Sequence, residues 1–345
     1  MSFSKEHSLK AKGIGVLLLI FHHLFFNKAR FGPYGIVPWL LTEEQLIHVA
    51  TAARICVWIF VFVSAYGIAT LYEKQAQTAG ELRFVFKRWV SLMKGFWFVY
   101  ILVFAVLMVT GLRDYSFYGN NPIYQILDIG GVADLFGTPS LSGAWWYMCY
   151  AQVMLLTMPV MCRLCRANGW LSVFLMFIAL QYLPDGIVSS SGGSYNMYLC
   201  GQVLGIVCAQ KDAFRVFRQA KGFAKKAAVF VLLWAGVVLL VELRFWLVSE
   251  SFTYNYRHLN WVLYAIAAVL VCATTVVVEW KPLDAALMFL GKHSGNMFFI
   301  HMFFVYYASN AVFFTGTVVG SWLTLVAVSL AASVAVELLK KWIRY

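Results

Sequence analysis

Charged residues are scarce in this sequence, and acidic residues are scarcer still. Only 12% of the 345 residues are charged and 62% are hydrophobic, and the mean hydropathy is +0.75. A water-soluble fold of this size cannot cover its surface with so few charges, which excludes the soluble globular classes. The composition therefore indicates a membrane protein.

The alternating pattern of a membrane β-barrel is also absent, so helices must do the spanning. A spanning helix needs about 20 apolar residues for a hydrocarbon layer of roughly 30 Å, and it satisfies its own backbone polar groups in lipid. We predict an all-α, polytopic integral membrane protein with about ten transmembrane helices, the fifth and sixth of them short. The predicted spans are at about 13–27, 50–72, 89–111, 144–161, 170–183, 196–210, 228–248, 259–279, 286–308 and 315–339.

The 15 acidic residues are outnumbered by 27 Lys and Arg, giving a formal net charge of +12. If the amino terminus is cytoplasmic, 21 of the 27 basic residues fall on the cytoplasmic side of the predicted spans. Basic residues collect on that side of a bilayer, so the excess is a topology signal and no nucleic acid partner is expected. We predict that both termini are cytoplasmic.

No long-period repeat, low-complexity tract or interdomain linker divides the sequence, which predicts a single transmembrane domain over 1–345. No small-residue cleavage pattern follows the first apolar run, so we expect a retained helix there. The seven cysteines all lie in predicted spans or on the cytoplasmic side, and no disulfide framework is implied.

Two adjacent histidines, His22 and His23, stand inside the first apolar run, KAKGIGVLLLIFHHLFFN. The eleven steps from Lys12 to His23 cover about 16 Å of helix, which places His23 near the bilayer midplane. Eleven steps are close to three turns, so Lys12 and His23 share a face and His22 lies about 100° away. An ionisable group at this depth predicts a functional site, the alternative being a neutral imidazole bonded to a neighbouring helix.

Histidine can take a proton from a hydroxyl near neutral pH, and a lysine at the membrane boundary suits a phosphate or carboxylate. Transfer of an acyl group from coenzyme A across a membrane fits this layout. A membrane transporter or a small-molecule-binding sensor would also use buried histidines and stays an alternative. No metal and no permanently bound cofactor are expected.

Five stretches resemble, in order, motifs of the membrane acyltransferase 3 family. KGIGVLLLIFHH resembles the first-helix motif, in which a basic residue, usually arginine, precedes a histidine with ten residues between; Lys12 and His23 have that spacing. VWIFVFVSAYGIATLYEK (57–74) is similar to the second helix, with Ser64 kept and Ala65 where the family has glycine.

The other three stretches resemble later helices of the family. FKRWVSLMKGFW (86–97) is similar to the basic start of the third helix, where Arg88 matches the first of two arginines and Ser91 replaces the second. AWWYMCYAQVMLLTMPVM (144–161) resembles the Trp-containing helix that ends in Pro. FLGKHSGNMFFIHMFF (289–304) resembles the Gly-Lys-x-Ser … His signature near the carboxyl end.

The resemblance implies a multi-pass enzyme of the bacterial inner-membrane type. It would move an acyl group, commonly acetyl, from cytoplasmic acyl-CoA to a hydroxyl of a cell-surface carbohydrate or lipid-linked glycan. Acyl-CoA is then the donor substrate, the glycan is the acceptor, and membrane lipid surrounds the protein. Whether a partner transferase completes the reaction is left open.

The resemblance and the residues together give a set of candidate site residues. They are His23, His22 and His301 for catalysis, Lys12, Lys87 and Arg88 for donor binding, Trp145, Trp146 and Tyr147 for acceptor binding, and Ser64 without an assigned step. His23 is the expected general base or acyl relay, and His22 is expected mainly to pack or hydrogen-bond.

Several candidates have an equally simple structural role. Lys87 and Arg88 also fit the topology signal, the 145–147 aromatics fit an interfacial belt, and Ser64 fits close helix packing. The outward segments 28–49 and 112–143 are expected to fold back as partly buried caps, with their charged groups solvated and one or two facing an acceptor.

Overall fold

The computed structural model describes residues 2–38, 40–182, 194–249 and 259–345. Within these ranges the chain is helical and has no β-strand, although an isolated bridge pairs Val37 with Thr317. The α-helices are α1 (Lys5–Phe25), α2 (Lys28–Phe31), α3 (Glu43–Ala52), α4 (Cys56–Ala79), α5 (Glu81–Val109), α6 (Pro122–Ile129), α7 (Trp146–Asn168), α8 (Leu171–Tyr182), α9 (Leu199–Gln210), α10 (Phe223–Ser249), α11 (Leu259–Val277), α12 (Lys281–Tyr307), α13 (Ser309–Val312) and α14 (Val318–Trp342).

Each predicted span overlaps one of these helices, and the all-α prediction is confirmed for the described residues. The helices that are long and apolar enough to cross a membrane number seven in this part of the chain: Lys5–Phe25, Glu43–Ala76, Glu81–Val109, Gly143–Asn168, Phe223–Val248, Leu259–Val277 and Val318–Trp342. Helices α8 and α9 have 12 residues each, and α12 has 27 but is interrupted by polar side chains. The count of ten spans and the cytoplasmic termini stay predictions.

The chain forms two compact units, each assembled from three stretches. The first unit comprises Met1–Gly15, Ile55–Val90 and Tyr150–Phe289. The second unit comprises Val16–Arg54, Ser91–Cys149 and Leu290–Tyr345. Lys12 therefore belongs to the first unit, whereas His23 and His301 belong to the second.

In the first unit, α4 and α9 pack closely at Gly205. A Cβ on Gly205 would lie 2.7 Å from the carbonyl oxygen of Phe62 and 2.8 Å from the Cβ of Ala65. Only a glycine permits this approach, because the carbonyl belongs to helix backbone and cannot move aside. Ala65, which replaces a family glycine, thus still presents a small side chain to the neighbouring helix.

The amino terminus of the first unit is held by two polar contacts. The Lys10 ammonium is 2.9 Å from a carboxylate oxygen of Asp284 and also donates to the carbonyl of Val278 at 3.1 Å. Ser2 donates its backbone N–H and its hydroxyl to Asp212 at 2.7 and 2.9 Å. The start of the chain and the segment after α9 therefore lie at the same end of this unit.

In the second unit, the Trp322 indole of α14 donates to the carbonyl of Leu17 in α1 at 3.1 Å. Helix α12 is joined to α14 by His293, whose Nδ1 lies 2.9 Å from the Ser333 hydroxyl. These contacts bring α1, α12 and α14 together, and they position the carboxyl-terminal half of α1.

The segment between α5 and α7 folds over a buried carboxylate. Asp128 is 1% exposed, and one of its oxygens accepts from the Tyr118 hydroxyl at 2.8 Å and from the Leu141 N–H at 3.0 Å. The expectation of a solvated Asp128 was wrong, because the segment supplies these donors and so allows the carboxylate to leave water.

Candidate functional site

The second unit brings His23 and His301 together. Their ring centroids lie 5.0 Å apart, with the planes tilted by 47°. His301 is fully buried at 0% exposure, whereas His23 keeps part of its surface accessible. His23 is therefore the more exposed residue of the two.

The backbone fixes the proton of His301. Its Nδ1 donates to the carbonyls of Phe298 at 2.9 Å and Met297 at 3.1 Å, both in the same helix. In a neutral imidazole one nitrogen donates and the other accepts, so the lone pair lies on Nε2. Among the described residues, that buried Nε2 has no hydrogen-bond partner.

The contact with Arg30 favours the tautomer of His23 that carries its proton on Nε2. One guanidinium nitrogen of Arg30 donates to the carbonyl of His23 at 2.7 Å and lies 3.4 Å from His23 Nδ1. Arginine can only donate, so this contact favours a lone pair on Nδ1 and a proton on Nε2. The two neighbouring imidazoles thus have complementary protonation, one offering an N–H and the other a lone pair.

The chain turn after α1 explains how Arg30 reaches back. Helix α1 ends at Phe25, and Asn27 caps α2 by accepting from the N–H of Ala29 at 2.9 Å. The guanidinium carbon of Arg30 then lies 4.6 Å from the centroid of the Phe26 ring. Arg30 was expected to be an ordinary solvated residue, and the sequence signal that was missed is its position after an Asn cap, seven residues beyond His23.

His22 has a different environment from His23. It is 9% exposed, its Nδ1 donates to the carbonyl of Ala50 at 2.8 Å, and its ring stacks on Phe26 with centroids 4.6 Å apart. These contacts join α1 to α3. The role expected of His22, packing and hydrogen bonding, agrees with this placement.

The three aromatic candidates for acceptor binding differ in accessibility. Trp145 is 3% exposed, and its indole donates to the carbonyl of Phe299 at 3.1 Å. Trp146 and Tyr147 are partly exposed. The Tyr147 ring lies 5.6 Å from that of Phe298, which lies 6.2 Å from the His301 ring. Phe298 is therefore a neighbour of both Tyr147 and His301, whereas Trp145 is part of the core.

The donor-binding candidates and Ser64 lie in the first unit. Lys12 is partly exposed and, unlike the paired Lys10, its ammonium has no hydrogen-bond or ion-pair partner in the described ranges. Arg88 donates to the side-chain oxygen of Gln75 at 3.0 Å, and Lys87 is exposed. Ser64 is partly buried on α4.

The chain matches one family of known proteins. A family model described as an acyltransferase domain matches residues 10–339, a range that contains every candidate site residue. Neither the curated proteins nor the solved structures contain a match. Since the match covers nearly the whole chain, the protein belongs to the acyltransferase 3 family and is a membrane acyltransferase.

Proposed function

We propose that this protein transfers an acyl group, acetyl in the first instance, from acyl-CoA to a hydroxyl of a carbohydrate or lipid-linked glycan. We place it in the bacterial inner membrane, with both termini and the donor on the cytoplasmic side. The family match and the apolar helices support a membrane acyltransferase, and the basic residues support this orientation.

The observation that carries the proposal is the histidine pair in the second unit. A partly exposed histidine beside a buried imidazole with an unused lone pair is suited to receive a proton and pass it on. Buried polar atoms normally find partners, because an unpaired one costs about 1–3 kcal/mol. The unpaired Nε2 of His301 has a lone pair that can accept a proton, which suits a role in the reaction.

The reaction needs one proton to be moved. The acceptor hydroxyl gives its proton to His23 Nδ1 as its oxygen attacks the thioester carbonyl carbon. The Nε2 proton of His23 passes to His301 Nε2 once the two rings, whose centroids lie 5.0 Å apart, approach to hydrogen-bonding distance. The carbon–sulfur bond then breaks, the proton returns through the same pair to the thiolate, and the products are the acyl ester and free CoA thiol.

Arg30 is proposed to position His23 and to stabilise negative charge. The contact between Arg30 and His23 Nδ1, at 3.4 Å, is at the long limit for a hydrogen bond. An acceptor hydroxyl that binds Nδ1 therefore breaks only a weak contact. The shorter bond to the His23 carbonyl persists. The remaining guanidinium N–H groups are then available to the oxygen on which charge develops, the usual role of such donors in acyl transfer.

Substrate binding is proposed to be divided between donor and acceptor residues. Lys12, Lys87 and Arg88 hold the phosphates of the donor, because ammonium and guanidinium groups both bind phosphate. Trp146 and Tyr147 offer aromatic faces to the acceptor, and the buried Trp145 supports them from the core.

The proposal is tested with purified protein in vesicles, using acetyl-CoA and glycan extracted from the envelope. We expect release of CoA thiol and an acetyl mass on the glycan. His23→Ala should lower the transfer rate by about 10²–10⁴-fold, because it removes a general base. His22→Ala, the adjacent control, should lower thermal stability more than rate, since it loses the bond to Ala50.

A transporter or sensor gives a different result in the same vesicles. It would neither release thiol from acetyl-CoA nor add mass to the glycan. Normal transfer by the His23→Ala protein would contradict the assigned chemistry even if the enzyme is an acyltransferase.

A further inference from the structure

At the end of the first unit that carries the amino terminus, a pocket opens between three helix ends. It encloses about 250 Å³ and is lined by Glu73 of α4, Arg166 of α7, Ala209 and Gln210 of α9, and Lys211. Drug-sized ligands occupy pockets of about 300–1,000 Å³, so this helix-end pocket has room for one end of a longer ligand. Its place beside Asp212, which binds Ser2, locates it at the proposed cytoplasmic face.

The charges of the helix-end pocket favour an anion. Glu73 is fully engaged, since one carboxylate oxygen accepts from Arg166 and the other from the Gln210 amide at 3.0 Å. The Gln210 amide also donates to the carbonyl of Cys162 at 3.0 Å, which fixes the wall. With Arg166 and Lys211 opposing Glu73, the lining carries a net charge of +1.

Lys211 is the cation with unused hydrogen-bonding capacity. Throughout the described ranges, no hydrogen bond or ion pair is formed by its ammonium, and the residue is exposed. Its stem lies across Gly169, where a Cβ would be 3.2 Å from the Lys211 Cε. Gly169 has φ +57°, a left-handed conformation suited to glycine, and it ends α7 without a side chain that would obstruct the lysine.

Arg166 and Lys211 therefore offer two kinds of donor to one group. The Arg166 side chain is 50% exposed although it pairs with Glu73, so it retains N–H donors toward the pocket. A planar guanidinium beside a mobile ammonium is an arrangement that binds phosphate monoesters well. The following segment, 211–226, adds further basic residues and attracts anions to this end of the unit.

We propose that the helix-end pocket binds the 3′-phosphate of the CoA donor, through Lys211 and Arg166. This inference rests on the proposed function, because it takes acyl-CoA as the donor. It concerns a subsite for the nucleotide end only, separate from the phosphates assigned to Lys12, Lys87 and Arg88. An anionic phospholipid headgroup has the same phosphate chemistry and is the competing source of the ligand.

The test compares CoA with 3′-dephospho-CoA by isothermal titration of the full-length protein in detergent without added lipid. We expect the native protein to bind CoA about 10-fold more tightly, since a charge-assisted hydrogen bond is lost in the dephosphorylated compound. Lys211→Gln should remove this preference and leave the affinity for 3′-dephospho-CoA unchanged. Lys211→Arg should keep most of it.

Lys221→Gln is the matched control, because it removes the same charge from the same basic segment outside the pocket lining. It should retain the preference for CoA, and all variants should unfold at the native temperature. An unchanged preference in Lys211→Gln, or an equal loss in Lys221→Gln, would overturn the subsite.

Two further outcomes separate the competing explanations. If neither compound binds the native protein, the proposed function fails and not merely the subsite. If the compounds bind equally, and phosphatidylglycerol nanodiscs raise the unfolding temperature of the native protein but not of Lys211→Gln, the pocket is a lipid headgroup site and the proposal is overturned.

Discussion

The imidazole rings of His23 and His301 lie 5.0 Å apart on helices α1 and α12, and their hydrogen bonds favour opposite tautomers. Arg30 favours a lone pair on His23 Nδ1, and helix carbonyls put the lone pair of His301 on Nε2. Two imidazoliums at this separation would repel each other, so the pair is suited to take up one additional proton and carry a single positive charge. The partly exposed His23 is thus a neighbour of the buried His301, whose Nε2 can accept a proton.

Substitution by glutamine is expected to lower ligand affinity at Lys12 and protein stability at Lys10. Lys12→Gln should lower acyl-CoA affinity by about 10-fold with little change in stability, because its ammonium has no partner within the described residues. Lys10→Gln should lower stability by about 1–3 kcal/mol, since it leaves Asp284 without its partner. Titration calorimetry and thermal unfolding of both variants check this, and the reverse pattern would remove Lys12 from the donor site.

The helices were largely predictable because hydrophobic run length determines them. The runs at 89–111 and 315–339 correspond to α5 and α14. Helix α5 begins earlier than its run, at Glu81, and α14 ends later than its run, at Trp342. The short α9 also matches the short sixth span, whereas its close approach to α4 at Gly205 is a tertiary contact that the local pattern does not indicate. The division into two units, each built from three separated stretches, has no signal in local composition.

The site was predictable only in part. His23 is a candidate because of its depth and its spacing from Lys12, and His301 because of its motif, but the sequence does not indicate that the two rings are neighbours. Arg30 was missed because its contact with His23 depends on the turn at Asn27. Asp128 was missed because its burial requires donors from other positions in the same loop.

Gly205 and Gly67 provide a packing test within the same helix pair. Gly205→Ala should cost about 1–3 kcal/mol, because its Cβ would meet the Phe62 carbonyl oxygen at 2.7 Å. Gly67→Ala should be neutral or slightly stabilising, since a Cβ there meets nothing within 4 Å and alanine favours helix. Thermal unfolding in one detergent measures both, and equal costs would contradict the close approach of α4 and α9.

The buried carboxylate of Asp128 predicts a pH dependence of stability. Burial raises the pKa of Asp128 in the folded protein. Its contribution is therefore present below the unfolded value of about 3.9 and is lost as the pH rises through the raised folded pKa. From pH 4 upward, the unfolding temperature of the native protein should fall relative to that of Asp128→Asn, whose amide oxygen still accepts from Tyr118.

Asp114 is the matched control for this titration. Its hydrogen bond from Ser116 lowers the pKa of the Asp114 carboxyl, so its contribution is present above the usual value and lost as the pH falls through the lowered folded pKa. As the pH rises, the unfolding temperature of the native protein should therefore rise relative to that of Asp114→Asn. Parallel curves for the native protein and Asp128→Asn would show that Asp128 is not desolvated in solution.

Acyl transfer by the double variant His23→Ala/His301→Gln, measured beside each single variant, tests the proton-sharing pair most directly. We expect His23→Ala to lose about 10²–10⁴-fold in rate and His301→Gln at least 10-fold. The double variant should be no slower than His23→Ala, because residues that act as a unit are not additive. Acyl-CoA affinity should stay at the native value in all three. Losses that multiply in the double variant, or native activity in His23→Ala, would contradict a shared proton between His23 and His301.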